Sequence, residues 1–526
     1  MDNENRFKIT SDKFFDLIIE YNNDLSILQK FGENSYLIIN ERYAVVFIPI
    51  ENSADNIVYT YGYNVVPSCY GLMSTPNSDH SGILATKEVE YSNLHGDGVL
   101  IGIIDTGVDY TNPALLYPDS TSRILSIWDQ TIDSNNYPLG YYYGTEYTRE
   151  AINLALRQND PFSVVASKDE NGHGTALASV AGGTPSANSQ FSGIATNSDY
   201  VVVKLKEAKS ALREFFRIPK EAICYSANDI MFGIDYLLSV ARRVRRPIVI
   251  CIGVGTSQGS HEGLNELDLY ISDLSRLQGT AFLVAAGNEG YDGHHFLGSS
   301  DSGINSSEFL LNVDPNEAGF SMEFWGVAPH LYSIDIFLPS GQYLGTVPFA
   351  FQSQIQQVFT FDDTLVHADS LIRKTISGAH LILFRFRNPA SGIWRFQVNS
   401  SNEIDRAFNV WLPISNFLTS NTYLFNSSPF TSLTGPANVQ GPITITAYDP
   451  IEGNLYQNAS RGYPRSNVIK PDVAAPGVNI LTPTKDKQYV SMSGTGIATA
   501  YATGVTALLM EWGIIRGNQT YLNSYG

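Results

Sequence analysis

Four short segments carry side chains whose types and order suit acyl transfer. Ile103-Ile104-Asp105-Thr106-Gly107-Val108-Asp109 ends an apolar run in a carboxylate followed by glycine. Asn171-Gly172-His173-Gly174-Thr175-Ala176 sets a histidine between two glycines at the start of a helical pattern. Val284-Ala285-Ala286-Gly287-Asn288-Glu289-Gly290 ends a second apolar run in an amide, and Ser491 to Ala500 is a glycine-rich turn leading into a helix. A carboxylate can orient an imidazole, the imidazole can take a proton, and an amide can donate to an oxyanion.

These groups need a rigid frame. Val99 to Ile104 is almost wholly apolar, the pattern of a strand buried on both faces. Similar runs occur at Tyr200 to Leu205, Pro247 to Ile252 and Ala281 to Ala286, with a helical pattern at Ala227 to Arg242 between them. The alternation predicts an α/β domain with a parallel sheet, with Asp105 at a strand's carboxyl end where such sheets place their sites. From about residue 305, short strand patterns at 309–313, 320–325, 331–337, 356–361, 381–386 and 394–398 are separated by turn clusters, which predicts an inserted antiparallel sandwich. The α/β pattern returns at Ile443 and ends in a helix near 497–512. The first ninety-odd residues read as a small α+β unit. Ser11 is expected to cap a helix carrying Phe14, Phe15, Leu17 and Ile18, Tyr36 to Ile39 and Tyr43 to Ile50 form a hairpin, Ile57 to Val66 forms a strand, and Ser74 to Ser81 is a linker.

The order Asp, His, Asn, then a glycine-rich turn before a helix resembles the subtilisin-like serine proteases, or subtilases. The likeness runs from Gly98 to Trp512 outside the inserted sandwich. It rests on DTGVDYTNPAL, NGHGTALASVAGG, GTSQGSH, AAGNEGYDGHH, KPDVAAPGVNI and SGTGIATA. Within the family the chain is most similar to the clostridial germination-specific Csp proteases. The resemblance implies a subtilisin-like parallel-sheet core in two parts (91–304 and 436–526), an N-terminal α+β prodomain (1–90) and an inserted jelly-roll-like β-sandwich (305–435). It implies that Asp105 orients His173, that His173 is the general base, that Asn288 serves the oxyanion, and that Gly253-Val254-Gly255 walls the substrate cleft.

At the nucleophile the chain departs from the family. The family motif ends S-G-T-S; here the last position is Gly496, which has no Oγ and cannot form an acyl-enzyme. Ser493, three residues earlier, is not placed to substitute. Two readings stay open. One is a natural CspC-like pseudoprotease that regulates spore germination; the other is an active germination endopeptidase, activating a cortex-hydrolase zymogen, whose serine has been replaced. On the first reading self-cleavage fails and the prodomain stays attached, its C-terminal segment lying in the cleft. Partners implied by the resemblance are a sister Csp protease or the cortex-hydrolase proenzyme, together with the chain's own prodomain. The sandwich is expected either to rigidify the core or to dock a partner.

Composition bounds the rest. A chain of 526 residues suggests about three domains. At 43% hydrophobic and 16% charged it is not a disordered chain, and a net charge of −19 argues against nucleic-acid binding. Cys69, Cys224 and Cys251 are too few for a disulfide framework and read as buried free thiols. No apolar run is long enough to span a membrane. The start, MDNENRFKIT, lacks a Sec signal pattern, so a chain made inside the cell is expected, spore-associated by resemblance. Asp105-Thr106-Gly107 also matches an aspartic-protease motif, and Asp301-Ser302-Gly303 would have to be its second copy; no apolar strand precedes the latter, and the His and Asn segments would go unexplained. His261-Glu262 and His294-His295 lack metal-ligand spacing and read as structural histidines. No cofactor is expected, and calcium is left open.

Overall fold

A computed structural model describes residues 2–519 except 33–34, 51–53, 78–82, 85–92, 187–190, 299–305, 328–329, 350–353, 373–378, 402–406 and 467. The Asp301-Ser302-Gly303 motif therefore lies outside the described residues.

An eight-stranded sheet carries the α/β core. Its order is Val473–Pro476, Ile443–Tyr448, Thr280–Ala285, Ile248–Ile252, Leu100–Asp105, Asp199–Lys204, Ile124–Asp129 and Thr145–Thr148. All neighbours run parallel except the last pair. Strand Leu100–Asp105 shows why an unbroken apolar run is needed here. Leu100 and Ile104 join a core with helix Ala227–Val244, whereas Ile101 and Ile103 join a second core with helices His173–Gly182 and Thr495–Met510. Successive side chains point to opposite faces, and both faces are covered.

Two antiparallel sheets of six and five strands, from His295–Gly298 to Tyr423–Leu424, form the insertion. Their inner faces share one core, in which Phe309 stacks on Phe396 at 4.7 Å and Phe324 on Phe408 at 4.9 Å. The inserted sandwich is as expected, with further strands such as Thr364–Ile372 that lacked a clear pattern.

The N-terminal unit has the expected hairpin, Tyr36–Ile38 against Tyr43–Pro49, but differs twice. The helix is Asp2–Thr10, while Phe14–Glu20 is a strand paired with Tyr43–Pro49 along its whole length. Phe-Phe-Asp-Leu-Ile-Ile is apolar enough to be buried on both faces, so its helical periodicity misleads. Ile57–Tyr61 is a short helix, followed by a turn of 3-10 helix at Tyr63–Val65, not a strand. Of the expected linker 74–81, residues 78–81 lie outside the described residues, and the part before them is held. Thr75–Pro76 pairs with the strand Tyr489–Ser493, and Ile83–Leu84 runs beside Ile480–Pro483. Among the described residues no helix is long and apolar enough to cross a membrane. Cys69, Cys224 and Cys251 are buried free thiols.

Candidate active site

Asp105 closes its strand and is fully buried; His173 opens its helix and is almost fully buried. The two side chains meet. His173 Nδ1–H donates to Asp105 Oδ1 at 2.8 Å, and the Thr106 N–H donates to the same oxygen at 2.7 Å. His173 Nε2 is buried and has no hydrogen-bond partner among the described residues. Gly174 is required by packing, since a Cβ there would overlap the Gly107 carbonyl.

Asp169, which sequence reasoning overlooked, ties this turn together. Its carboxylate accepts from Thr106 Oγ1 (2.8 Å), Gly172 N (2.7 Å), Thr175 N (2.9 Å) and Thr175 Oγ1 (2.6 Å). It thus joins the strand end after Asp105 to the helix start at His173. Burial pushes its pKa up, against those hydrogen bonds. The available signal was an acid four residues before the histidine, in Asp169-Glu-Asn-Gly-His173.

Gly253, Val254 and Gly255 form an edge along which the chain's own residues Cys69–Leu72 run antiparallel. Val254 pairs with Leu72, and Gly255 pairs with Gly71. A Cβ on Gly253 would overlap Leu177 and reach 3.3 Å from His173 Cε1, so a side chain here would crowd the imidazole. The ladder continues with the Met73 N–H donating to Gly253 O at 2.9 Å. The Met73 carbonyl then receives two donors, Asn288 Nδ2 at 2.8 Å and the Gly496 N–H at 2.8 Å. Asn288 Oδ1 accepts from Thr495 N (3.0 Å) and Thr495 Oγ1 (3.1 Å), which fixes the amide's orientation. Beyond Met73, Ser74 Oγ accepts from Ile497 N at 3.0 Å, and Asn77 N donates to Ser491 O at 2.8 Å. The segment 69–77, which bends at Met73, therefore crosses the site with the Met73–Ser74 peptide bond at its centre.

Gly496 lies in the first turn of the helix Thr495–Met510. A Cβ built on it would sit 3.2 Å from the Met73 carbonyl carbon and would overlap the Ser74 hydroxyl. A side chain at this position would press against the Met73 carbonyl, and Ser74 Oγ occupies part of the space it would need. Ser493 is engaged elsewhere: its Oγ accepts from Asn479 N (2.9 Å) and Asn77 Nδ2 (3.1 Å).

His261, His294 and His295, outside the pair, are all buried. His261 and His295 both stack on one indole, Trp411, at 4.1 and 4.9 Å, and burial pulls the His261 pKa down to about 3. His294 Nδ1 bonds Glu289 Oε2 at 2.6 Å. Glu289, Asp292 and His294 bring one ligand atom each within 4.8 Å of one another, a geometry that suits a cation. The Ser415 hydroxyl hydrogen-bonds both carboxylates there.

Two polar seams hold the N-terminal unit. Lys209 Nζ meets Asp16 at 2.5 Å in a buried pair. Asp55 accepts from Arg217 (2.9 Å) and from Arg385 of the sandwich (2.8 Å), and Arg385 also pairs with Asp369 at 2.8 Å. Nearby, Tyr63 Oη donates to Glu323 at 2.5 Å, whose other oxygen takes Trp325 Nε1 and Gly259 N.

Comparison with known proteins agrees with this geometry. The sequence profile of the subtilase family matches residues 96–309 and 417–514, more than half of the chain, and leaves out most of the sandwich. The CspB protease of Clostridium perfringens superposes with a TM-score of 0.73 at 29% identity, over 84% of this chain and 87% of that one. Two plant proteins of Arabidopsis thaliana, subtilisin-like proteases SBT3.1 and SBT3.17, are each 23% identical over 84% and 85% of this chain. The chain spans only 57% and 59% of their respective lengths. By family match, sheet order and the placement of Asp105 and His173, the chain belongs to the subtilase family.

Proposed function

We propose that this protein is a subtilase-family pseudoprotease that regulates spore germination and keeps its own N-terminal unit across a cleft that cannot cut it. The observation that carries this reading is the position of Met73. Its carbonyl lies between Asn288 Nδ2 and the Gly496 N–H, as a scissile carbonyl would, and Gly496 supplies no oxygen to attack it. On this reading Asp105 orients His173, His173 is a base without a nucleophile to activate, Asn288 is the oxyanion donor, and Gly253-Val254-Gly255 is the cleft wall. Residues 1–90 are a retained prodomain, 91–304 and 436–526 the core, and 305–435 the sandwich. An oxyanion site alone leaves roughly 10³- to 10⁴-fold acceleration over water, too little for useful peptide hydrolysis. The partner is then a sister Csp protease or a cortex-hydrolase proenzyme. Purified full-length protein on a denaturing gel tests the reading. A single band is expected, and two discrete fragments without added protease would overturn it.

A second reading is favoured by the completeness of the remaining machinery. The 2.8 Å Asp105–His173 bond and the oriented Asn288 amide are what an active germination endopeptidase needs, with a serine at 496 replaced by mutation. The genomic codon at position 496 separates the two.

A further inference from the structure

A hollow of about 880 Å³ lies between the end of helix Ala227–Val244 and the turn that follows helix Glu266–Leu274. Strands Ile248–Ile252 and Thr280–Ala285 start beside it, whereas Asp105 closes its strand at the carboxyl end. The hollow is therefore at the opposite end of the sheet from the Asp105–His173 pair. Leu238, Ala241 and Ile248 give it a buried apolar floor, and Leu277, 40% exposed, stands at its rim.

The rim is strongly basic. Arg242, Arg245, Arg246 and Arg276 line it and no Asp or Glu does, in a chain whose net charge is −19. Arg246 is engaged inside the fold: its guanidinium donates to Gly98 O at 2.9 Å, to Val99 O at 3.2 Å and to Asp199. Arg242, Arg245 and Arg276 are exposed and make no side-chain hydrogen bond or ion pair among the described residues. Asp235, whose carboxylate feels the Arg242 charge, is already held by Tyr141 Oη at 2.8 Å. Cations in the last turn of a helix offset its dipole, which accounts for Arg242. That does not account for Arg276, which comes to the same hollow from a separate turn. Three unpaired guanidiniums around one concavity repel one another, and an acidic partner relieves that repulsion.

We propose that this hollow docks a short acidic segment of a partner protein. Arg242, Arg245 and Arg276 take its carboxylates, and one apolar side chain sits over Leu238 and Leu277. Guanidinium groups pair with carboxylates in a bidentate fashion, and an apolar centre inside a polar rim is the usual build of a protein interface. The rest of the surface narrows the choice of partner. A second copy of this chain would bring −19 against −19, and a nucleic acid would lay its phosphates along acidic surface, whereas a short segment meets only the basic rim. Docking at this end of the sheet leaves the cleft and the Met73 segment in place. The inference holds whichever residue once stood at position 496.

The test uses the intact full-length protein and a rhodamine-labelled peptide, acetyl-Glu-Glu-Leu-Leu-Glu-Glu-amide, followed by fluorescence anisotropy. One saturable site per chain is expected. Binding should weaken at least about tenfold when glutamine replaces every glutamate of the peptide. It should weaken severalfold when serine replaces its leucines, or when sodium chloride is raised from about 50 to about 300 mM. Arg245→Gln combined with Arg276→Gln should weaken binding about tenfold or more, and Leu277→Ser severalfold, with melting temperatures unchanged. Arg157→Gln, at an exposed arginine that does not line the hollow, should bind like the wild type. The proposal fails if the peptide shows no saturable site, if the double variant binds as tightly as the wild type, or if the glutamine peptide or a short DNA duplex binds as tightly as the acidic peptide.

Discussion

The backbone N–H of Gly496 donates to the carbonyl of Met73 at 2.8 Å. Met73 belongs to the N-terminal unit, and on the proposed reading Gly496 stands where the nucleophile would be. The carbonyl is held, oriented and hydrogen-bonded from two sides, and the residue that would attack it has no side chain.

Asn288 anchors that carbonyl and the start of the last helix together. Replacing it by alanine removes the bond to Met73 and leaves the Thr495 N–H without its acceptor, at a cost of about 1–3 kcal/mol. Hydrogen exchange at residues 69–76 should accelerate in Asn288→Ala, with the core sheet unaffected. Unchanged protection at Met73 and Ser74 would mean that Asn288 does not hold this strand.

Asp55 joins three parts of the chain, its own unit, the core through Arg217 and the sandwich through Arg385. Arg385 is fully buried, so Asp55→Ala strips half of its compensating charge and is expected to cost roughly 3–5 kcal/mol. The readout is thermal unfolding, together with the rate at which an added protease cuts the N-terminal unit. Equal melting temperatures and cutting rates would show that the seam is not what retains the unit.

Two buried groups give stability opposite pH slopes. Burial pulls the His380 pKa down to about 4, so the folded state holds it neutral while the unfolded chain takes a proton below about 6.5. Its contribution is present above pH 6.5 and is lost as pH falls toward 4, on the order of 3 kcal/mol in total. Burial pushes Asp268 up to about 7, so its penalty is absent below the ordinary carboxylate range and grows as pH rises from about 4 to 7. Denaturant titration across pH 4–8 should therefore show a flatter acid limb in His380→Gln and a flatter neutral limb in Asp268→Asn. Limbs that remain parallel to wild type in both variants would contradict these assignments.

The strand ends and glycine turns of the core were legible because burial on both faces demands apolar runs and because a Cβ at Gly174 or Gly253 would collide. Asp105, His173, Asn288, Gly253 and Gly496 sit on such features. The N-terminal unit was less legible. Phe14 to Ile18 is equally apolar at helical and strand spacing, and its pairing with Tyr43–Pro49 decided between them. Ile57–Tyr61 is rich in β-formers and is helical nonetheless. Met73, Ser74 and Asp169 were not picked out as site residues: the first two owe their roles to distant partners, Gly253, Asn288 and Gly496 for Met73 and Ile497 for Ser74, and Asp169 to Thr106 together with its neighbours Gly172 and Thr175. The family likeness identified the missing nucleophile; only the fold shows what occupies its place.

On the proposed reading, an acyl-transfer site lacks only its nucleophile and already holds the Met73–Ser74 bond. Intact-mass analysis of Gly496→Ser combined with Ser74→Ala tests it most directly, because the second change clears the hydroxyl that the new side chain would meet. Cleavage after residue 73 is expected. It should be slower in Gly496→Ser alone, absent when His173→Ala is added, and absent in the unaltered protein. Cleavage at another bond, cleavage that survives His173→Ala, or a folded double variant that stays whole would contradict the account.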